Sequence, residues 1–121
     1  MAKAKVLKIP ARGEWKFEEV DADEDGVLSV ETLQGAVGGW FECWWLGEVG
    51  FPRLDMFLNE EGKLDGLSFN VVATRLSGIL VHDDCIAGDV VVCAHGDESQ
   101  SVGLTDEDEL ALRRRLSELG F

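Results

Sequence analysis

Three sets of side chains in this sequence have types and spacings that could do chemistry. The first is Asp21-Ala22-Asp23-Glu24-Asp25-Gly26-Val27-Leu28-Ser29, which matches the front half of an EF-hand calcium loop. Asp21, Asp23 and Asp25 supply oxygen ligands at loop positions one, three and five, Gly26 allows the sharp turn, and an apolar residue follows at eight. Position twelve should close the coordination sphere with a bidentate Glu, but that residue is Thr32. Glu31 comes one place early, and a helical residue moved by one place rotates about 100° around the axis. No second loop exists to pair with it. The stretch reads first as an acidic turn between a strand and a helix, with weak Ca²⁺ binding as the alternative.

The second set is His82, Cys85, Cys93 and His95, spaced H-x2-C-x7-C-x-H, all ligand types that suit Zn²⁺. Cys93 ends an apolar run, and His95 two residues on shares a strand face with it, so one weak pair is allowed. A buried small thiol beside two loop histidines explains the same residues more simply. The third set is Asn59, Asn70, Thr74 and Asp89, with Trp40 or Trp44 as a stacking wall. These residues combine hydrogen-bonding groups with an aromatic face, as a nucleotide-like ligand requires. Each has a structural use as well: Asn59 in a turn, Asn70 as a helix cap, Thr74 bonding back to a helical carbonyl, and Asp89 accepting from backbone N–H groups.

Composition narrows the classes of function. The 121 residues contain 24 Asp plus Glu against 11 Lys plus Arg, a formal charge of −13. Such a chain repels nucleic-acid phosphates, so no direct nucleic-acid partner is expected. Hydrophobic residues make up 45% of the chain and include four Trp, enough to build a core. No apolar run approaches the roughly 18–20 residues of a membrane span, and the basic start MAKAKVLKIP lacks the apolar stretch of a signal peptide. Three scattered Cys without a CxxC do not make a disulfide framework, which points to the cytoplasm. Walker A, GxGxxG, G-x-S-x-G and HExxH motifs are absent. The acid pairs Glu18-Glu19, Glu60-Glu61 and Asp83-Asp84 are adjacent residues, which point to opposite faces of a strand and make poor acid–base dyads. Nothing here marks an enzyme.

The elements that must position these residues follow from periodicity. Lys5 to Ile9 and Glu14 to Val20 read as strands around a Pro-Ala-Arg-Gly turn. Ser29 caps a short helix whose Val30, Leu33 and Val37 recur at helical spacing and which Gly38-Gly39 stops. Trp40 to Leu46 reads as a strand with both faces apolar, hence central in the sheet or covered on one face by a second copy. Leu54 to Leu58 forms another, joined to Lys63-Leu64 through a hairpin loop at Asn59 to Gly62. Asn70 to Leu76 is a helix and Ile86 to Ala94 the last strand. Thr105, with Asp108 three residues later, opens a C-terminal helix with Leu112, Leu116 and Leu119 as its apolar stripe and a Glu109–Arg113 pair on its surface.

The expected fold is α+β: a small antiparallel or mixed sheet of about 4–6 strands with two short helices and the C-terminal helix. Residues 1–121 read as one domain, with a core over about 3–94, an acidic loop over 95–104 and the helix over 105–119.

Four segments also carry a resemblance. They are Val37-Gly38-Gly39-Trp40-x-Glu42, then Asn59-Glu60-Glu61-Gly62-Lys63-Leu64, then Leu67, Asn70 and Ala73-Thr74, and finally Ile86-x-Gly88-Asp89. Their order and spacing resemble an uncharacterised family of phage, plasmid and actinobacterial proteins, catalogued as domain of unknown function number 3846. Ser68 stands where the family pattern has Pro, and Asp21 to Gly26 is a local elaboration. The resemblance implies a small protein of a phage or other mobile element, made in the cytoplasm of a bacterial host, and carries no catalytic residues. The leading expectation is therefore a non-enzymatic binding or inhibitor module whose partner is a host protein, with anti-defence or nucleic-acid mimicry as the role. A nucleotide-like ligand and Ca²⁺ are the alternatives, and a homodimer is compatible with the Trp-rich strand.

Overall fold

In the computed structural model, which describes residues 2–121, six strands and three α-helices alternate along the chain. Strands β1 (Ala2–Ile9) and β2 (Lys16–Ala22) form a hairpin in register from Ala2↔Ala22 to Lys8↔Lys16. Helix α1 (Val30–Val37) leads into β3 (Phe41–Trp45) and β4 (Leu54–Asn59). Helix α2 (Val71–Ser77), β5 (Val90–His95), the two-residue β6 (Ser101–Val102) and α3 (Asp106–Glu118) complete the order. The sheet runs β2-β1-β5-β4-β3, with β6 also on β5, and every pairing is antiparallel. The fold is α+β, as the sequence predicts, and the sheet is wholly antiparallel.

The two central strands explain the two cores. All six residues of β4 are buried, and their alternation sends Leu54, Met56 and Leu58 to one face and Phe57 to the other. Val90, Val92 and Ala94 of β5 join the first face, while Val91 and Cys93 join the second. Helices α2 and α3 cover the first face through Ala73, Leu76, Leu112 and Leu116. Leu33 and Val37 of α1 cover the second. Burying the two α3 leucines alone contributes roughly 1.5–3 kcal/mol each. The C-terminal helix thus belongs to the main core instead of being appended to a core that ends near Ala94. The expected loop between them holds β6 and the buried Leu104.

The helix ends are set by their sequences. Ser29 Oγ accepts the Thr32 N–H, Asn70 Oδ1 accepts the Ala73 N–H, and Thr105 with Asp108 forms a complete capping box. Gly38 ends α1 at φ +81°, a left-handed backbone that a side chain disfavours.

Three expectations need correction. The Trp-rich strand is not central: β3 pairs only with β4 and forms one edge of the sheet. Its apolar residues misled because β4 and β5 are the strands buried on both faces. Lys63 and Leu64 form no strand, because the chain past Asn59 runs through turns, with Asp65 N–H bonded to Glu61 O and Leu67 N–H to Gly62 O. The last strand begins at Val90, so Asp89 lies on the turn before it and is exposed. Gly88 makes that turn at φ +90°.

Candidate functional site

At one end of the sheet, the C-terminal turn of α1, the turn between β1 and β2, the segment from Asn59 to Ser68 and the Gly88-Asp89 turn enclose an open cleft of about 480 Å³. Arg12 Nε donates to Ser68 Oγ at 2.8 Å across it, and Asp89 Oδ1 accepts the Ala11 N–H at 2.8 Å. Asn59 holds the floor, donating from Nδ2 to Val37 O at 3.2 Å and accepting from the Glu61 N–H at 2.8 Å. A Cβ at Gly88 would fall 2.8 Å from Leu67 Cδ1, so this wall also depends on the missing side chain.

Of the six residues expected to gather round a ligand, the structure brings Asn59 and Asp89 to this cleft. Asn70 and Thr74 are each 1% exposed and occupied structurally. Asn70 Nδ2 donates to both Ile9 O and Gly88 O at 2.9 Å while its oxygen caps α2. Thr74 Oγ1 donates to Asn70 O at 2.6 Å and accepts the Ile86 N–H at 2.9 Å. Among the described residues no buried side-chain polar atom lacks a partner. The expected aromatic wall does not form. Trp44 packs on the opposite face of the sheet, donating from Nε1 to Ser77 O with its ring against His82. Trp40 is 74% exposed on the link from α1 to β3.

The metal candidates also separate. The segment before the acidic turn is the strand β2, not an incoming helix, so the EF-hand scaffold is missing. Asp21 belongs to that strand and pairs with Lys3 across the hairpin, which holds its carboxyl below the usual range. Asp23 Oδ1 turns inward and accepts the N–H groups of Asp25 and Val27. Asp25 is exposed. His82 stands 3.5 Å from Glu48, Cys85 is half-buried, Cys93 is buried, and His95 Nδ1 lies 2.8 Å from Asp55 Oδ2. Among the described residues no three His, Cys, Asp or Glu side chains are placed to hold a metal ion.

Sequence reasoning missed the group around Asp55. Its side chain is only 12% exposed and sits on the α1 face of the sheet, where it meets His95 and the Cys43 thiol. Loss of water and the Asp55 charge push both the Cys43 and the Cys93 thiol up to about 12. A single acid inside Leu54-Asp55-Met56-Phe57-Leu58 was the available signal, since an acid in an apolar strand must find partners.

Most of the basic side chains are already paired. All five Lys sit in ion pairs with carboxylates, as do Arg53, Arg113 and Arg115. The turn carrying Asp23, Glu24 and Asp25 is tied to β6 by the Val27↔Val102 bridge and by the Leu28 N–H to Ser101 O bond of 2.8 Å. The turn carrying Asp97 and Glu98 lies between β5 and β6. Both acidic turns therefore share the end of the sheet opposite the cleft. Their five carboxylates are exposed and have no ion pair among the described residues. Among those residues no helix is long and apolar enough to cross a membrane.

A family described as Domain of unknown function (DUF3846) matches residues 4–117. No curated protein and no solved structure matches the chain.

Proposed function

The chain belongs to the DUF3846 family, and on that premise we propose that it is a non-enzymatic binding module that docks its acidic end on a basic surface of a host protein. The observation that carries this reading is the pair of turns, Asp23 to Asp25 and Asp97-Glu98, both joined to β6, whose exposed carboxylates make no ion pair among the described residues. Fixed like charges in one place raise the local potential, which speeds encounter with a cationic partner and makes it sensitive to salt. The backbone bonds to Asp23 Oδ1 and the β6 pairing hold the turns in shape before contact, which lowers the ordering cost of binding. The source is a phage or other mobile element, in keeping with the resemblance of the sequence, and the place of action is the bacterial cytoplasm. An array of carboxylates spaced along a surface also resembles a nucleic-acid backbone in charge, which suits inhibition of a host protein with a basic cleft.

A nucleotide-like ligand has less support, because Trp44 is on the other face and Trp40 stands in solvent. Ca²⁺ has less still, because Asp21 is committed to Lys3.

The test is capture from a host lysate on the immobilised chain. It is run beside a variant with Asp23→Asn, Glu24→Gln, Asp25→Asn, Asp97→Asn and Glu98→Gln. Asn at position 23 keeps the oxygen that accepts the two backbone N–H groups, so the turn is retained. A protein retained by the native chain at low salt, released at high salt and bound at least tenfold more weakly by the variant is the expected result. Equal retention by both chains, or retention that ignores salt, overturns the reading.

A further inference from the structure

The edge strand β3 has features that the acidic end leaves unused. Leu46 N–H donates to Leu54 O and Trp40 O accepts the Glu60 N–H, so the even-numbered residues turn their backbone groups toward β4. Phe41, Cys43 and Trp45 then turn theirs to the open side of the sheet, and no backbone bond of the described residues uses them. Unpaired edges normally carry charges that discourage pairing. The opposite edge follows this rule, since β2 displays Lys16, Glu18, Glu19 and Asp21. Strand β3, Phe41-Glu42-Cys43-Trp44-Trp45, has one charge, and Cys43 and Trp45 are exposed, Trp45 by 52%. The Trp45 ring does not shield the edge: it folds back over Gly47, with Nε1 donating to Pro52 O.

We propose that β3 pairs antiparallel with β3 of a second copy of this chain, about a two-fold axis at Cys43, to make one continuous sheet across a homodimer. The sequence of the strand selects a second copy as the occupant. Its aromatic residues are symmetric about Cys43, so the two-fold places Phe41 opposite Trp45 of the partner copy twice over and Cys43 opposite Cys43. Glu42, its only acid, falls opposite Trp44, so no like charges face each other in the ribbon. Residues 41, 43 and 45 all have outward backbone groups, so the register forms three reciprocal pairs, about six hydrogen bonds. A two-fold moved by one residue to Glu42 would set the two carboxylates face to face. The Phe41 ring, packed edge-on against Phe57 at 5.1 Å, is already fixed in place to meet the partner's indole.

Sedimentation of the full chain over a concentration series tests this, beside Cys43→Pro. Proline removes an N–H that faces away from β4, so the monomer ladder is kept while the centre of the ribbon is lost. The native chain is expected to move from single to double mass with concentration, and the variant to dissociate at least tenfold more readily with an unchanged circular dichroism spectrum. Hydrogen exchange on the native chain gives a readout that needs no variant. The amides of Phe41, Cys43 and Trp45 should slow as concentration rises. A single-chain mass at every soluble concentration, a dimer unaffected by Cys43→Pro, or exchange at these amides that ignores concentration overturns the proposal.

Discussion

Cys43 is exposed as a residue, yet its thiol is held up at about 12. Two causes act in one direction: loss of water around the thiol, then the Asp55 carboxylate, which repels a thiolate and accepts the S–H hydrogen bond. At pH 8 a thiol of pKa about 12 is ionised in only about one molecule in ten thousand, and only the thiolate attacks an alkylating reagent. Cys43 should therefore alkylate far more slowly than its exposure implies. Asp55→Asn removes the charge while keeping an acceptor oxygen, so the thiol pKa falls and the rate at pH 8 rises. Each unit of decrease multiplies the thiolate fraction tenfold, and peptide mass spectrometry after iodoacetamide treatment reads it directly. An unchanged rate in Asp55→Asn would assign the shift to loss of water alone. The same residue shows a limit of reading one chain. Asp55 could be seen as an acid within an apolar strand, but its partners His95 and Cys43 come from β5 and β3, and only the sheet order brings them together.

At the scale of elements, the legible features were those with local causes. Ser29, Asn70 and Thr105 cap the helices they were expected to cap, because a cap is decided within about four residues. The failures were decisions taken elsewhere in the chain. Nothing within Trp40 to Leu46 says that β4 and β5 fill the centre of the sheet and leave the aromatic strand at its edge. Nothing within Lys63-Leu64 says that no strand comes alongside to pair with it. Asn70 shows how a local reading can be right and still incomplete. It caps α2 as its position predicts, but Nδ2 also ties the end of β1, through Ile9 O, to the turn before β5, through Gly88 O. Asn70→Ala removes the cap and leaves two buried carbonyls without donors, which should cost about 3 kcal/mol. Asn70→Asp keeps the capping oxygen but loses both donors and buries a charge, so it should be about as costly. Urea unfolding of the two variants checks this. An Asp variant close to the native chain in stability would show that the cap alone matters and that the bridge between the strands contributes little.

For the whole molecule, the governing quantity is the charge of −13 and its placement. The sum was countable from the sequence. Its placement was not, because a two-residue strand, β6, is what ties the turn carrying Asp23 to Asp25 to the hairpin carrying Asp97 and Glu98. The same charge acts with opposite signs on the two associations proposed for this chain. Docking of the acidic end on a basic partner is an attraction between unlike charges, so added salt weakens it. Pairing of two copies through β3 brings together two bodies that repel as wholes, although Glu42 avoids its counterpart in the ribbon. Salt screens that repulsion within about 10 Å at 0.1 M, so the homodimer should tighten over a range where host-protein capture loosens. Measuring both constants from about 0.05 M to about 0.5 M sodium chloride separates the two surfaces without any mutation. A homodimer that loosens with salt would mean that its contact is made by ion pairs, which the β3 edge does not contain. A host complex that tightens with salt would mean that apolar contact, not the carboxylates of the acidic end, holds it.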